Sequence, residues 1–285
     1  MLDATTGFLF VSRASNSLVV PFTLSGSTIT AGTSSSTFGV GIFNDSSTTP
    51  LGDAIAMTST EALLTESSST TNPTFTFRTV THNGASAPTI GTASSAVTTA
   101  ANYLAPALAK IDATNAFVVY NAASTSYTVA RVVTISGASA PTLQTANTSA
   151  ANLIYSKGIN TISSTKFNVM SGIGSEVFTV SGTTVTYVGF NSSNGIFNDN
   201  SVSANLGNYV LSLGYNGAVI AFFEIVNDYA YYKGNFAPDK SYYMRAYGNF
   251  STGLVLGLDS TTAFGITNNG GTTTISATVI KYIGI

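Results

Sequence analysis

The sequence predicts an all-β protein made of six repeats, each about 51 residues long. Three observations support this prediction. Short strings recur far apart: "GIFND" occupies 41–45 and 195–199, and "GASAPT" occupies 84–89 and 137–142. Apolar residues alternate along segments such as 18–24, which is the period of a β-strand. No segment shows the 3.6-residue period of an amphipathic helix.

A short motif marks the start of each repeat. It begins with an aliphatic residue or Met, continues through small and turn-forming residues, and ends on Phe, Leu or Val. Its six copies are 2–8, 57–63, 111–117, 162–167, 213–219 and 258–264. Each copy predicts a tight turn between two strands, and the fifth copy rests mainly on its spacing. A later glycine, as in "LSGST", supplies the positive φ of a second hairpin turn.

Each repeat is therefore predicted to contain about four short antiparallel strands. One such sheet cannot bury both faces, whereas a ring of sheets can, and ring closure also protects the strand edges. We predict a single domain over 1–285, a six-bladed β-propeller; the alternative is an array of β-sandwich-like units. The "GIFND" strings lie between repeats and predict shared structural loops. Asp45 and Asp53 together offer too few ligands for Ca²⁺.

The composition excludes several classes of function. Charged residues make up 8% of the chain and the net charge is -2, so no basic field is available for nucleic acid or acidic lipid. The absence of cysteine excludes disulfides, thiolate-bound zinc and thiol catalysis. The first residues lack a basic segment followed by an apolar run, so we expect no cleavable signal peptide in this form of the chain. The abundance of Ser, Thr, Gly and Asn favours a particle or fibre used outside a cell.

The search for catalytic chemistry is negative. His82 is the single histidine, and neither a G-x-S-x-G elbow nor a phosphate-binding loop is present. Asp3 and Asp112 belong to the repeat turn, where Asp bonds its own backbone. Arg78 and Arg131 each precede a hairpin glycine by six residues, so they are repeat-equivalent. A sialidase, which is another six-bladed protein, is not expected, because the chain has no S-x-D-x-G box and no Trp. We predict no catalytic, metal-binding or cofactor-binding residue and no cofactor.

A tyrosine-rich region stands apart from the other repeats. Eight of the fourteen tyrosines lie between Tyr209 and Tyr247, interleaved with charged residues. Tyrosine offers rigid contact area with a polar end, which suits protein interfaces and sugar stacking. The predicted contact surface consists of Tyr229, Tyr231, Tyr232, Lys233, Lys240, Tyr242, Tyr243, Arg245 and Tyr247. The structural alternative is cross-strand aromatic pairing that stiffens a hairpin.

The repeat, with "ALAKIDATNAFVVYN" followed by "ARVVTISG", resembles the propeller-like repeats of phage tail-fibre and other virion surface proteins. The resemblance implies a non-enzymatic structural protein of a virion or extracellular appendage, used for host attachment, as in receptor binding, or for particle assembly. The implied partners are neighbouring virion or fibre subunits, or a glycan or protein of the host surface. Neither nucleic acid binding nor membrane insertion is expected.

An alternative function from another class remains open. A secreted lectin or glycoside hydrolase could use the same propeller scaffold. Glycoside hydrolysis would need two carboxyl groups about 5–10 Å apart in an open pocket. Scattered acids together with exposed tyrosines would favour binding instead.

Overall fold

The computed structural model describes most of the chain, and every strand in it is short. The described residues are 1–12, 17–38, 53–67, 74–98, 106–121, 127–149, 158–171, 174–192, 202–206, 209–213, 220–236, 253–257, 262–268 and 275–281. These residues form 24 β-strands and no helix, so none of them belongs to a helix that could span a membrane.

The first three sheets come from the N-terminal half of the chain. Sheet 1 contains β1 (Thr6–Ser12), β2 (Ser17–Ser25) and β3 (Thr28–Ala31). Sheet 2 contains β4 (Ala54–Ala56), β5 (Glu61–Ser67), β6 (Thr74–Asn83), β7 (Ser86–Ile90) and β8 (Val97–Thr98). Sheet 3 contains β9 (Ala107–Lys110), β10 (Asn115–Asn121), β11 (Thr128–Thr134), β12 (Thr142–Leu143) and β13 (Asn147–Thr148).

The remaining sheets follow in chain order. Sheet 4 contains β14 (Gly158–Ser163), β15 (Lys166–Ser171), β16 (Gly174–Ser181) and β17 (Thr184–Asn191). Sheet 5 contains β18 (Val202–Leu206), β19 (Tyr209–Leu213), β20 (Ile220–Val226) and β21 (Tyr229–Phe236). Sheet 6 contains β22 (Gly253–Gly257), β23 (Thr262–Asn268) and β24 (Ile275–Lys281).

Within each sheet the strands pair antiparallel in chain order, like a meander. Two short strands join out of order, because β8 pairs with β6 and β13 pairs with β11. The described residues thus give six small antiparallel sheets in succession. This architecture confirms the predicted fold class, an all-β chain of the β-propeller type.

Backbone contacts divide the chain into two compact units. One unit comprises Met1–Asn147 with Ser181–Val185, and the other comprises Thr148–Val180 with Thr186–Ile285. The prediction of a single domain over 1–285 stays a prediction. Both "GIFND" strings lie outside the described residues.

The repeat motif forms the turn between the first and second strands of a sheet. The copies that do so in sheets 2, 3 and 4 are 57–63, 111–117 and 162–167. The predicted position of the motif is wrong for the fifth repeat, because 213–219 leads from the second strand of sheet 5 to the third. The first two strands of sheet 5 are joined between Leu206 and Tyr209, a connection too short to carry the motif.

Aspartates of the motif bond their own turn, as predicted. Asp112 Oδ1 accepts the amide N–H groups of Thr114 at 2.7 Å and Asn115 at 2.8 Å. Asp3 makes the same pair of bonds five residues before the end of its motif. The later hairpins turn on glycines with φ between 51° and 65°, the left-handed conformation that the sequence predicts. These glycines are Gly26, Gly84, Gly137 and Gly182.

A second repeated string, which the sequence analysis did not use, ties successive sheets together. "GTSS" follows β3 and "GTAS" follows β7. The amide of Thr33 donates to the carbonyl oxygen of Ala85 at 2.9 Å, and that of Thr92 donates to Ala138 at 2.9 Å. Both acceptors lie in "GASAPT" strings, at the hairpin turn of the following sheet. This explains why the two strings recur together.

The apolar core lies between facing sheets. Phe75 and Phe77 of sheet 2 pack with Val118 and Val133 of sheet 3, and all four side chains are buried. On its other face, sheet 2 packs against sheet 1. The residues of that second cluster include Leu64, Val80, Phe8 and Phe10. Because side chains alternate between the two faces of a strand, successive residues of β5 pack into different interfaces, one with sheet 3 and one with sheet 1.

Candidate active site

Strand pairing allows equivalent positions in different sheets to be compared. Leu64 pairs with Arg78 in sheet 2, and Val118 pairs with Arg131 in sheet 3. Each arginine stands six residues before its hairpin glycine in the sequence, so the strand registers of the two sheets agree. Departures from equivalence then identify side chains that the fold itself does not require.

Asp53 is such a departure. It lies four residues before the turn motif of sheet 2, just ahead of β4. The same position is Ala107 in sheet 3 and Gly158 in sheet 4. The repeat therefore does not need an acid at this position.

The carboxylate of Asp53 spans two sheets. Its Oδ1 accepts the amide N–H of Ala54 at 2.8 Å, and its Oδ2 accepts the amide N–H of Leu108 at 2.8 Å. Ala54 and Leu108 are themselves equivalent, since each pairs with the partner of a repeat arginine. The carboxylate is thus fixed between the edge strands β4 and β9. Each oxygen retains lone-pair capacity for a water or a substrate.

Thr65 fixes the backbone of Asp53. The Asp53 amide donates to Thr65 Oγ1 at 2.7 Å, and the Thr65 amide donates to the Asp53 carbonyl oxygen at 2.9 Å. The Thr65 side chain is fully buried, so this arrangement is rigidly packed. Asp53 is half-buried.

Burial raises the pKa of Asp53 to about 6, although the N–H bonds from Leu108 and Ala54 oppose the increase. A carboxylate with this pKa is ionised at neutral pH and still has appreciable affinity for a proton. These are the properties of a general base that works near neutrality.

Three other described acids also have shifted pKa values. The amide of Thr5 and further bonds from the same turn lower the pKa of Asp3. Burial opposes the same effect at Asp112, but bonds from Asn115 and Thr114 still lower its pKa. Burial raises the pKa of Glu61, at the opposite end of β5 from Thr65. No group of three or more His, Cys, Asp or Glu in the described ranges could hold a metal ion.

The repeat arginines have different partners. Arg78 Nε donates to Glu66 Oε2 at 2.8 Å, and Arg78 Nη1 donates to the carbonyl oxygen of Gly91 at 2.9 Å. The guanidinium of Arg131 instead lies over the ring of Tyr120, 5.6 Å from its centroid. The sequence identified the two arginines as equivalent, but it gave no indication of this difference.

His82 is held by a hairpin turn and by contact with an aromatic ring. Its Nδ1 accepts the amide N–H of Gly84 at 3.2 Å, inside the hairpin turn. Its ring lies 5.3 Å from that of Phe8, measured between centroids.

The predicted tyrosine surface is described only in part. Tyr229 begins β21, is half-buried, and points its hydroxyl at Gly189, where an added Cβ would lie 2.5 Å from that oxygen. The preceding residue, Asp228, pairs with Lys166 at 2.7 Å. Tyr231, Tyr232 and Lys233 lie in the backbone of β21, but their side chains are outside the described part. The residues wholly outside the described ranges are Lys240, Tyr242, Tyr243, Arg245 and Tyr247. The contact surface stays a prediction.

The fold is similar to that of solved bacterial proteins. The "putative 6-phosphogluconolactonase" of Bacteroides fragilis NCTC 9343 matches with a TM-score of 0.58 and 12% identity, over 98% of this chain and 82% of that one. A protein from Lactobacillus plantarum matches with a TM-score of 0.58 and 9% identity, over 98% and 83%. A second "putative 6-phosphogluconolactonase", from Bacteroides uniformis ATCC 8492, gives 0.52 and 7%, over 94% and 83%. No protein-family model and no curated protein matches the sequence.

These comparisons correct two predictions. The resemblance to phage tail-fibre and virion surface repeats is wrong, since the fold matches bacterial proteins, two of them named for a lactonase activity. The prediction of a non-enzymatic virion or fibre protein is wrong for the same reason. The turn motif that carried the resemblance is structural, since its aspartates bond their own turn, so it does not indicate a function. The predicted location and partners stay predictions.

Proposed function

We propose that the chain is a hydrolase that opens a sugar-derived lactone, with Asp53 as the general base. The fold likeness to two proteins named for 6-phosphogluconolactonase activity supports the choice of reaction. The observation that carries the proposal is Asp53 itself: an acid that the repeat does not require, fixed by two N–H groups, with its pKa raised to about 6.

The reaction requires one proton acceptor near the ester carbonyl. Asp53 removes a proton from a water molecule whose oxygen attacks the carbonyl carbon of the ring. The bond from that carbon to the ring oxygen then breaks, and the ring oxygen takes the proton from Asp53. The product is the open-chain hydroxy acid, and the carboxylate of Asp53 is regenerated.

The hydrogen bonds of Asp53 hold its carboxylate in a fixed position, which favours proton transfer from the attacking water. The two N–H bonds and the Thr65 bonds hold the Asp53 oxygens without using all of their lone pairs. The partial burial of Asp53 raises its affinity for the proton. Both features follow from its position between β4 and β9.

The test is hydrolysis of gluconolactone and its 6-phosphate by the full chain, corrected for the spontaneous reaction. We expect hydrolysis of at least one lactone, and a decrease in rate of about 10²–10⁴-fold in Asp53→Asn. Asp112→Asn, which changes an acid of a turn, is the matched control and should keep the wild-type rate. A wild-type chain no faster than buffer, or an unchanged rate in Asp53→Asn, would refute the proposal. Cleavage of aryl glycosides alone would favour glycoside hydrolysis instead.

A further inference from the structure

Sheets 2 and 3 carry the same arginine, but only sheet 2 supplies it with an anion. Glu66 lies two residues beyond Leu64, the partner of Arg78, and its carboxylate bonds Arg78 Nε diagonally across the strands. The side chain of Glu66 is 7% exposed and that of Arg78 is 22% exposed. The charge of this arginine is therefore neutralised inside the fold.

In sheet 3 the position of Glu66 is taken by Tyr120. Tyr120 lies two residues beyond Val118, the partner of Arg131. The guanidinium lies over its ring, which is 4% exposed and in edge contact with Phe75 at 5.2 Å. A cation–π contact stabilises the charge, but it gives an N–H donor no acceptor.

The Nε atom of Arg131 shows the consequence. It is buried, and within the described part of the chain it has no hydrogen-bond partner. The same atom of Arg78 donates to a carboxylate oxygen. A buried donor on a charged group is costly when unpaired, and such donors in native structures usually meet a ligand, ion or water.

We propose that Arg131 binds an oxyanion of a ligand, a carboxylate or a phosphate, which pairs with it as Glu66 pairs with Arg78. The planar guanidinium suits both groups, because its fork of N–H donors matches their oxygen atoms. Arg131 as a whole is only half-buried, so a small anion has access to it. The ring of Tyr120 forms one wall of the site.

The site lies in the same interface as Asp53. Leu108, whose amide bonds Asp53, belongs to the apolar cluster that also contains Tyr120 and Phe75. Anion binding at Arg131 does not require Asp53 to act as a base, however. The anion site and the hydrolase proposal can therefore fail separately.

The test is calorimetric titration of the full chain with inorganic phosphate and, separately, with acetate, at matched ionic strength. We expect at least one anion to bind, and Arg131→Met to weaken its affinity about tenfold or more, since a charge-assisted bond is lost. Lys110→Ala removes the same charge from an exposed position of β9 and should bind as the wild type does. The stronger of the two probes identifies the class of anion.

A second variant tests the site from the opposite side. Tyr120→Glu places a carboxylate where sheet 2 has Glu66, so it should pair with Arg131 and abolish anion binding in a folded chain. If Arg131→Met does not fold, Arg131→Lys keeps the charge without the fork and should still lose most of the affinity. Failure of both probes to bind the wild type would overturn the proposal, as would unchanged binding in folded Arg131→Met or Tyr120→Glu.

Discussion

The carboxylate of Asp53 crosses from sheet 2 to accept the amide N–H of Leu108 in sheet 3, at 2.8 Å. Its other oxygen bonds the equivalent amide, that of Ala54, in its own sheet. One side chain thus joins two edge strands at matching positions. Sheet 3 has Ala107 at the position of Asp53, so it has no carboxylate there.

Asp53 should make stability depend on pH. Its pKa in the folded protein, about 6, lies above the ordinary value of 3.8, so protonation favours the folded state. This contribution is fully present below the unfolded pKa and is lost as the pH rises through 6. Between about pH 7.5 and about pH 5 the free energy of unfolding should increase by about 1 kcal/mol from this group.

Urea unfolding of the wild type and of Asp53→Asn at both pH values measures that contribution. The increase should be smaller in the variant by that amount, because Glu61, whose pKa is also raised, contributes equally to both proteins. Asp3 and Asp112 do not interfere, because their lowered pKa values place their effects at more acidic pH. An equal pH response in the two proteins would show that Asp53 is not perturbed.

The Asp112 turn should contribute measurably to stability. Asp112→Ala removes acceptors for the amides of Thr114 and Asn115, so we expect the free energy of unfolding to fall by about 1–2 kcal/mol. Ala113→Ser, a change in the same turn, should stay within about 0.5 kcal/mol of the wild type. Urea denaturation measures the stability of both variants. Equal stabilities would show that the hydrogen bonds of Asp112 do not stabilise the fold.

Close packing at Gly91 should exclude any larger residue. A Cβ there would lie 2.4 Å from Thr79 Oγ1 and 3.0 Å from the carbonyl oxygen of Ala138. Gly91→Ala should therefore reduce the free energy of unfolding by about 1–3 kcal/mol. Gly26→Asn is the control, because that site is open and asparagine tolerates its positive φ. Wild-type thermal stability in Gly91→Ala would contradict the tight junction between sheets.

The sequence predicted the repeated sheets because their turns depend on local chemistry. Asp112 and Gly137 act through their own backbone, and such signals survive in a short string. The fifth repeat was misplaced because the connection from Leu206 to Tyr209 lacks the motif.

The candidate site could be predicted only in part. Counting back four residues from each motif would have shown Asp53 opposite Ala107 and Gly158. Its bond to Leu108 and its raised pKa depend on how two sheets meet, which no local pattern encodes. The difference between Arg78 and Arg131 likewise depends on which residue lies diagonally across the strand, Glu66 or Tyr120.

The most direct test of the central claim is the pH dependence of lactone hydrolysis by the full chain, compared with Asp53→Asn. If Asp53 is the base, the wild-type rate above the spontaneous reaction should fall as the pH decreases through about 6, because Asp53 becomes protonated. The small residual rate of the variant should lack that decrease. A wild-type rate independent of pH around 6, or the same decrease in the variant, would contradict the assignment of Asp53.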